Sequence, residues 1–203
     1  MKLVLLGPPA SGKGTQAERL SKALRLPQIS VGELLREEYH KGTKEGKAAE
    51  KYFDKGKLAP HALVMKIVKK RLAKKDCKKG FIFDGFPREL PQARALMKLA
   101  RPDRVVYIKV PDSLLVKRMV SRTQCPKGHT YGIGHKPKKR GVCDVDGQKL
   151  SHRHDDTPDI MGHRVKIFHQ KTEPVLRFFK KMGIVQTVSG TGTPDQIFKR
   201  IKL

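Results

Sequence analysis

Nine residues near the N-terminus have the types and the spacing of a phosphate-binding loop. They are Gly7-Pro8-Pro9-Ala10-Ser11-Gly12-Lys13-Gly14-Thr15. They match the usual pattern of a glycine, four residues and a Gly-Lys pair, although Gly14 intervenes before the hydroxyl residue. Glycines let backbone N–H groups turn inward around phosphate oxygens, and the following helix offers its positive end. We therefore expect this loop to bind a nucleoside triphosphate, with Lys13 on the β- and γ-phosphates and Thr15 near a Mg²⁺ ion.

The segments around this loop predict an α/β fold. The apolar run at residues 3–6 predicts a short buried strand, and apolar residues recur at helical spacing from 13 to 26. The same patterns predict strands at 81–83, 104–110 and 184–188, and helices at 31–41, 43–55, 61–72, 90–99, 111–122, 157–182 and 194–201. Alternating strands and helices favour a doubly wound parallel sheet that is flanked by helices and binds ligands at the carboxyl ends of its strands.

The composition is that of a globular protein with a very basic surface. Apolar residues make up 37% of the chain and charged residues 32%. No apolar run approaches the roughly 20 residues of a membrane span, and the run at 3–6 is too short for a signal sequence. We therefore expect a cytoplasmic protein that does not enter a membrane.

The charge itself allows two interpretations. Lys and Arg number 45 against 19 Asp and Glu, which gives a net charge of +26. Such a charge attracts polyanions, so weak RNA association is one interpretation and a merely solvated basic surface is the other. Because the chain has no Trp and only 6% aromatic residues, it offers little for base stacking.

Residues 123–157 interrupt the alternation of helices and strands. They are rich in Gly, Lys and His and contain two of the three cysteines, Cys125 and Cys143. An irregular segment of this length is usually a functional lid or a separately stapled insert. An odd number of cysteines argues against a disulfide framework.

Five ordered motifs resemble those of the nucleoside-monophosphate kinases, and among them the adenylate kinases with a long lid. They are the Gly-Lys-Gly-Thr end of the loop and the segments 29–36, 56–60, 76–93 and 153–164. The most specific part is Asp84-Gly85-Phe86-Pro87-Arg88. The resemblance covers essentially the whole chain. It implies a P-loop core of residues 1–30, 61–122 and 158–203, a helical monophosphate-binding insert of residues 31–60, and a lid of residues 123–157.

The resemblance also assigns roles to residues that are scattered along the chain. The catalytic set that it implies is Lys13, Asp84, Arg88, Arg122, Arg153 and Arg164. Besides the loop, Arg118 and Arg122 would bind ATP. The acceptor site would consist of Val31, Arg36, Lys57, Ala59, Gly85, Arg88, Gln92, Arg153 and Arg164. Bringing two nucleotides together concentrates negative charge, so catalysis of this kind is mostly positioning and charge neutralisation, for which guanidinium groups are well suited.

The implied reaction is reversible Mg²⁺-dependent phosphoryl transfer from ATP to AMP, giving two ADP, by a monomer whose lid closes over ATP. Gln92 can pair with an adenine edge in two directions. However, Val31 stands where adenylate kinases usually have Thr, and the related UMP/CMP kinases have a small apolar residue there. Broader or UMP/CMP specificity therefore stays an alternative. A basic RNA-associated P-loop protein, in which nucleotide binding serves regulation, is a second one.

The lid of this family often holds zinc on two pairs of ligands. Cys143-Asp144-Val145-Asp146 resembles the second pair, whereas Cys125-Pro126-Lys127-Gly128-His129 departs from the Cys-Pro-x-Cys-Gly form of the first. His129 or His135 could replace the missing cysteine, because neutral imidazole is a good zinc ligand. We expect a structural Zn²⁺ on Cys125, His129, Cys143 and Asp146. Another metal, or a lid held by hydrogen bonds alone, are the alternatives.

Overall fold

The structure, a computed structural model, describes residues 1–53, 55–152 and 157–203. The strands in these ranges are β1 Lys2–Leu6, β2 Gln28–Ser30, β3 Phe81–Asp84, β4 Arg104–Lys109, β5 Thr123–Gln124, β6 Thr130–Tyr131 and β7 Val185–Ser189. Among the described residues, five strands form one parallel sheet in the order β2-β3-β1-β4-β7, while β5 and β6 form a separate antiparallel pair. The carboxyl ends of β1 and β3 are therefore neighbours.

Helices cover this sheet and complete the described chain. They are α1 Lys13–Leu24, α2 Val31–His40, α3 Lys44–Phe53, α4 His61–Leu72, α5 Leu90–Ala100, α6 Asp112–Val120, α7 Pro158–Ile167, α8 Glu173–Lys180 and α9 Pro194–Arg200. Several begin at side-chain caps, such as Ser30, which accepts a hydrogen bond from the N–H of Glu33. None of the helices in the described part of the chain is long and apolar enough to cross a membrane.

The central strand β1 is buried on both faces. Val4 and Leu6 belong to one apolar cluster, whereas Leu3 and Leu5 belong to another. Successive side chains of a strand point to opposite faces, so a continuous apolar run supplies both clusters. This is the pattern of a parallel sheet covered by helices on its two sides. The predicted α/β architecture is confirmed.

The structure differs from the prediction in three short segments. The sheet contains β2, which has only three residues and no apolar run to reveal it. The lid segment contains the short pair β5 and β6 rather than irregular chain alone. The predicted helix at 157–182 is interrupted by a π turn, Phe168–Thr172, which separates α7 from α8.

His169 in the π turn connects it to two other helices. Its Nδ1 lies 2.8 Å from Oε1 of Glu173 at the start of α8, and its Nε2 lies 3.2 Å from Oδ2 of Asp112 at the start of α6. The hydrogen bond with Glu173, and then that with Asp112, raise the pKa of His169 above its usual range. Protonation allows the imidazole to donate to both carboxylates at once.

We expect His169→Gln to lower the thermal unfolding midpoint at pH 6 and to have less effect at pH 9. A histidine whose pKa is raised by folding stabilises the folded protein at pH values below its unfolded-state pKa of about 6.5. This stabilisation is lost as the pH rises through the folded-state pKa. The effect should be at most about 1 kcal/mol, because the imidazole is 42% exposed and solvent screens the pair. Calorimetry at both pH values checks this, and an equal loss at both would contradict it.

Candidate active site

The phosphate loop connects β1 to α1 in a turn that requires glycine at its start. A Cβ atom on Gly7 would lie 2.6 Å from Oγ of Ser11 and 2.9 Å from the carbonyl oxygen of Ile108, closer than real Cβ atoms come. The N–H of Ser11 donates to the carbonyl of Pro8 at 3.2 Å, and the ammonium of Lys13 donates to the same carbonyl at 3.2 Å. The loop is therefore curled tightly around the position of its own lysine.

The end of β3 places its polar residues directly beside this loop. Gly85 adopts a positive φ of 65°, and a Cβ there would lie 3.1 Å from Cε of Lys13 and 3.3 Å from Nη2 of Arg88. A Cβ on Gly14 would lie 3.1 Å from Oδ2 of Asp84. Lysine, carboxylate and guanidinium thus converge at the carboxyl edge of two adjacent strands, where doubly wound sheets bind their ligands.

Arg88 lines an open cleft, and solvent reaches its side chain there. Its Nε donates to the carbonyl of Gly85 at 2.7 Å. Desolvation by the surrounding protein, followed by repulsion from Arg164 and Arg36, lowers the pKa of Arg88 to about 10, and Asp84 acts in the opposite direction. Arg88 remains charged at neutral pH, so three guanidinium groups create a strongly positive field that favours an anion.

The cleft has a volume of about 640 Å³ and brings most of the predicted site residues together. Those that line it are Gly7, Ala10, Gly12, Lys13, Gly14, Thr15, Arg36, Lys57, Asp84, Gly85, Arg88, Arg118, Arg122 and Arg164. A recess of about 30 Å³ shares part of this lining and adds the other acceptor-site residues, Val31, Ala59 and Gln92. Arg153, predicted to bridge the transferring group, lies outside the described residues.

Two predicted binding residues make contacts that the sequence did not suggest. The guanidinium of Arg118 donates to the carbonyl of Ser11 at 3.2 Å and to that of Gly190 at 2.8 Å, so it ties the phosphate loop to the end of β7. Gln92 accepts from the N–H of Arg88 at 2.9 Å and donates to Glu89 at 3.2 Å. Its amide therefore holds the segment that carries Arg88 while it faces the recess.

A second cluster lies in the lid. Four ligand atoms, from Cys125, His129, Cys143 and Asp146, all lie within 4.8 Å of one another. Nδ1 of His129 is 3.3 Å from Sγ of Cys125, 3.5 Å from Sγ of Cys143 and 3.3 Å from Oδ2 of Asp146. Bonds of about 2.0–2.3 Å to a tetrahedral ion separate its ligands by about 3.3–3.8 Å. The donor set therefore fits a closed tetrahedral metal site.

The surroundings of this cluster distinguish its two candidate histidines. His135 lies outside it, stacks on Tyr131 with ring centroids 4.8 Å apart, and places Nδ1 3.0 Å from the carbonyl of Thr130. The hydroxyl of Tyr131 accepts from the N–H of Asp144 at 2.8 Å and lies 3.5 Å from Sγ of Cys143. This support of a ligand sulfur is typical of metal sites, and no motif in the sequence indicated it.

Comparison with known proteins adds the family. A family model described as "Adenylate kinase" matches residues 5–184 of the chain. The chain belongs to the adenylate kinase family. Adenylate kinases of Methanosarcina acetivorans and Archaeoglobus fulgidus are 41% and 43% identical to it, in alignments of 208 and 209 positions that cover 100% of this chain and 97% and 96% of those proteins. The adenylate kinase of Thermodesulfovibrio yellowstonii is 43% identical, in an alignment of 208 positions that covers 99% of this chain and 97% of its own length.

These similarities confirm three predictions made from the sequence. They are the family, the class of enzyme and adenylate kinase activity. The α/β fold agrees with the same family.

Proposed function

We propose that the enzyme transfers the γ-phosphoryl group of Mg²⁺–ATP to AMP in one cleft, by positioning the two nucleotides and neutralising their charge. The observation that carries this proposal is that the donor and acceptor sites share a border. Gly85 and Arg88 line both the cleft and the recess, and a Cβ on Gly85 would lie 3.1 Å from Cε of Lys13. In this proposal the phosphate loop holds the donor on one side of Arg88, and the acceptor lies in the cleft on the other side, with its base directed toward the recess.

The proposed division of labour follows from these positions. The backbone N–H groups of the loop and the ammonium of Lys13 hold the donor phosphates. Arg36 and Arg88 hold the acceptor phosphate through paired N–H donors. Arg164 and Arg122, with Arg153, neutralise charge on the transferring group, which is worth most in a cleft from which water is excluded. No covalent intermediate with the protein is needed, because an in-line transfer requires only alignment.

Mg²⁺ would be held on the donor side, by Thr15 and by waters that Asp84 orients. The oxygen donors suit this hard cation, and Oδ2 of Asp84 lies at the loop, 3.1 Å from the Cβ position of Gly14. When bound with ATP, the ion supplies charge neutralisation on the phosphates.

Residues 123–157 are proposed to act as the lid, residues 31–60 as the acceptor insert, and the remainder as the core. The lid contributes Gly128, Thr130 and His135 to the lining of the cleft. A Cβ on Gly134 would lie 3.7 Å from the carbonyl of Gly192, so the lid approaches the loop after β7. Closure there would exclude water that otherwise competes with AMP for the phosphoryl group.

The lid cluster of Cys125, His129, Cys143 and Asp146 is proposed to hold a structural Zn²⁺. Its thiols are 2% exposed, and its four ligand positions are filled by protein groups. Such a closed site stabilises a segment but leaves no position for a substrate. A cytoplasmic location, a monomeric state and weak RNA association stay predictions from composition and charge.

A panel of monophosphates tests the choice of acceptor. We expect AMP to be used at least about tenfold better than CMP or UMP, measured as kcat/KM with saturating ATP. Val31 lines the recess without offering a side-chain hydrogen bond. Val31→Thr would add one, and a hydrogen bond worth about 1 kcal/mol should raise the preference for AMP roughly fivefold. Comparable turnover of CMP or UMP by the parent enzyme would contradict the choice of AMP and favour a broader nucleoside-monophosphate kinase.

A further inference from the structure

Both the side chain and the main chain of Arg88 donate hydrogen bonds to neighbouring residues. Its Nε donates to the carbonyl of Gly85, and its N–H donates to the side chain of Gln92. Both partners belong to the same short segment, so they fix the shape of that segment without fixing its position relative to the helix that carries Arg164. A third bond makes that connection, because the hydroxyl of Thr172 donates to the carbonyl of Arg88 at 2.8 Å.

Thr172 is the last residue of the π turn and is only 5% exposed. Its side chain makes no capping bond to the start of α8, although it stands at the position where a hydroxyl often does so. The hydroxyl instead crosses to Arg88, 84 residues away in the sequence. Packing of the helix alone would not require a buried hydroxyl that donates to one carbonyl in a distant part of the chain.

The π turn sets the direction in which Thr172 faces. The N–H of Glu173 donates to the carbonyl of Phe168, five residues back, as a π turn requires. Thr172 follows Arg164 by eight residues. In a regular α-helix this spacing would rotate Thr172 by about 80° from the side on which Arg164 lies. The wider π turn removes part of this rotation, so both residues face the segment of Arg88.

The beginning of the π turn is anchored to the sheet. The ring of Phe168 stacks on Tyr107 of β4 with centroids 6.5 Å apart and an angle of 9° between the planes. The turn is therefore tied to β4 at one end and to Arg88 at the other. Such π turns occur frequently at functional sites.

We propose that Thr172 is a positioning residue for phosphoryl transfer, because its hydroxyl fixes the main chain of Arg88 relative to Arg164. The proposal rests on the assignment of Arg88 to the acceptor phosphate. Arg88 and Arg164 approach the same anion from two elements, and the bond from Thr172 to the carbonyl of Arg88 links these elements. A small displacement of either guanidinium lowers the rate, since transfer depends on alignment.

Substitutions at Thr172 that separate the hydroxyl from the shape test this proposal. We expect Thr172→Val to lower kcat/KM for AMP about tenfold while KM for ATP stays within about twofold, because valine keeps the shape and removes the donor. Thr172→Ser should restore most of the activity. Thr172→Ala also removes the hydroxyl and should share the kinetic defect, which provides a second variant if valine prevents folding.

A purely structural role would give a different result. The thermal unfolding midpoint of Thr172→Val would then fall, while the kinetics for AMP at 25 °C would stay unchanged, and that outcome would overturn the proposal. An equal rise in KM for ATP and for AMP would overturn it as well.

Arg88→Lys, measured in parallel, separates this proposal from the one on which it rests. If Arg88→Lys leaves acceptor kinetics intact, the assignment of Arg88 fails. If Arg88→Lys impairs them and Thr172→Val does not, only the role of Thr172 fails. If both assignments hold, the double variant should be little worse than Arg88→Lys alone, because both changes disturb one guanidinium.

Discussion

Arg88→Lys is expected to lower kcat/KM for AMP by about a hundredfold or more, with KM for ATP changed little. Lysine keeps the positive charge but loses the planar pair of donors that grips a phosphate. In the parent enzyme, Nε of Arg88 donates to the carbonyl of Gly85 and so orients the guanidinium in the cleft. The substitution removes this bond as well. Losing one oriented donor at a transferring centre typically costs a factor of about 10²–10³. Steady-state kinetics with each substrate varied in turn measures the effect.

Arg94→Lys is the matched control for this variant. Arg94 is an exposed residue of α5, close in sequence but absent from the lining of the cleft. It should retain the kinetics of the parent. If Arg88→Lys were as active as Arg94→Lys, or if it raised KM for ATP and KM for AMP equally, the assignment of Arg88 to the acceptor phosphate would be wrong.

Removal of the lid metal is expected to give the largest effect on stability. The apolar cluster of the lid consists of Cys125, Tyr131, Cys143 and Leu150, and two of these four are proposed metal ligands. A segment with so little core depends on its metal for folding energy. In a chain of this size, a loss of about 1 kcal/mol in the free energy of unfolding lowers the unfolding midpoint by roughly 2–4 °C. Chelation, or Cys143→Ser, should lower the midpoint by about 5 °C or more. Metal analysis should give one zinc per chain before treatment.

Three variants make the test of the metal site specific. His129→Ala should lose zinc, whereas His135→Ala should keep it, because of these two histidines only His129 brings a ring nitrogen into the cluster. Cys77→Ser, which changes a buried cysteine far from the lid in sequence, should also keep it. Stoichiometric zinc in Cys143→Ser, or no metal in the untreated protein, would rule out this site.

The sequence predicted the parts of the site that depend on short local patterns. The loop around Lys13 follows from glycine spacing, and its place after β1 follows from an apolar run that is buried on both faces. The convergence of Asp84 and Arg88 on this loop could be expected because β3 neighbours β1 in the sheet. Parallel strands present their carboxyl ends at one edge, so residues far apart in sequence meet there.

Contacts between distant elements could not be predicted in the same way. The binding of Arg118 to two main-chain carbonyls depends on the exact distance between α6 and the loop. The strand β2 has three residues, too few for any periodicity to appear. The π turn at Phe168–Thr172 amounts to one wider turn within a long helical stretch, too short a change for the apolar pattern of the sequence to reveal it. Nothing in the sequence therefore marked Thr172 as a residue of the site.

The π turn also constrains how many residues the chain can have between α7 and α8. Deleting one residue there would allow the turn to close into regular α-helix, and each residue of such a helix rotates the chain by about 100°. The buried face of α8, which includes Val175 and Phe179, would then turn away from the core. The side chains of residues 170 and 171 are exposed and should tolerate substitution freely. Insertions and deletions in this stretch should be tolerated far less than any of these substitutions.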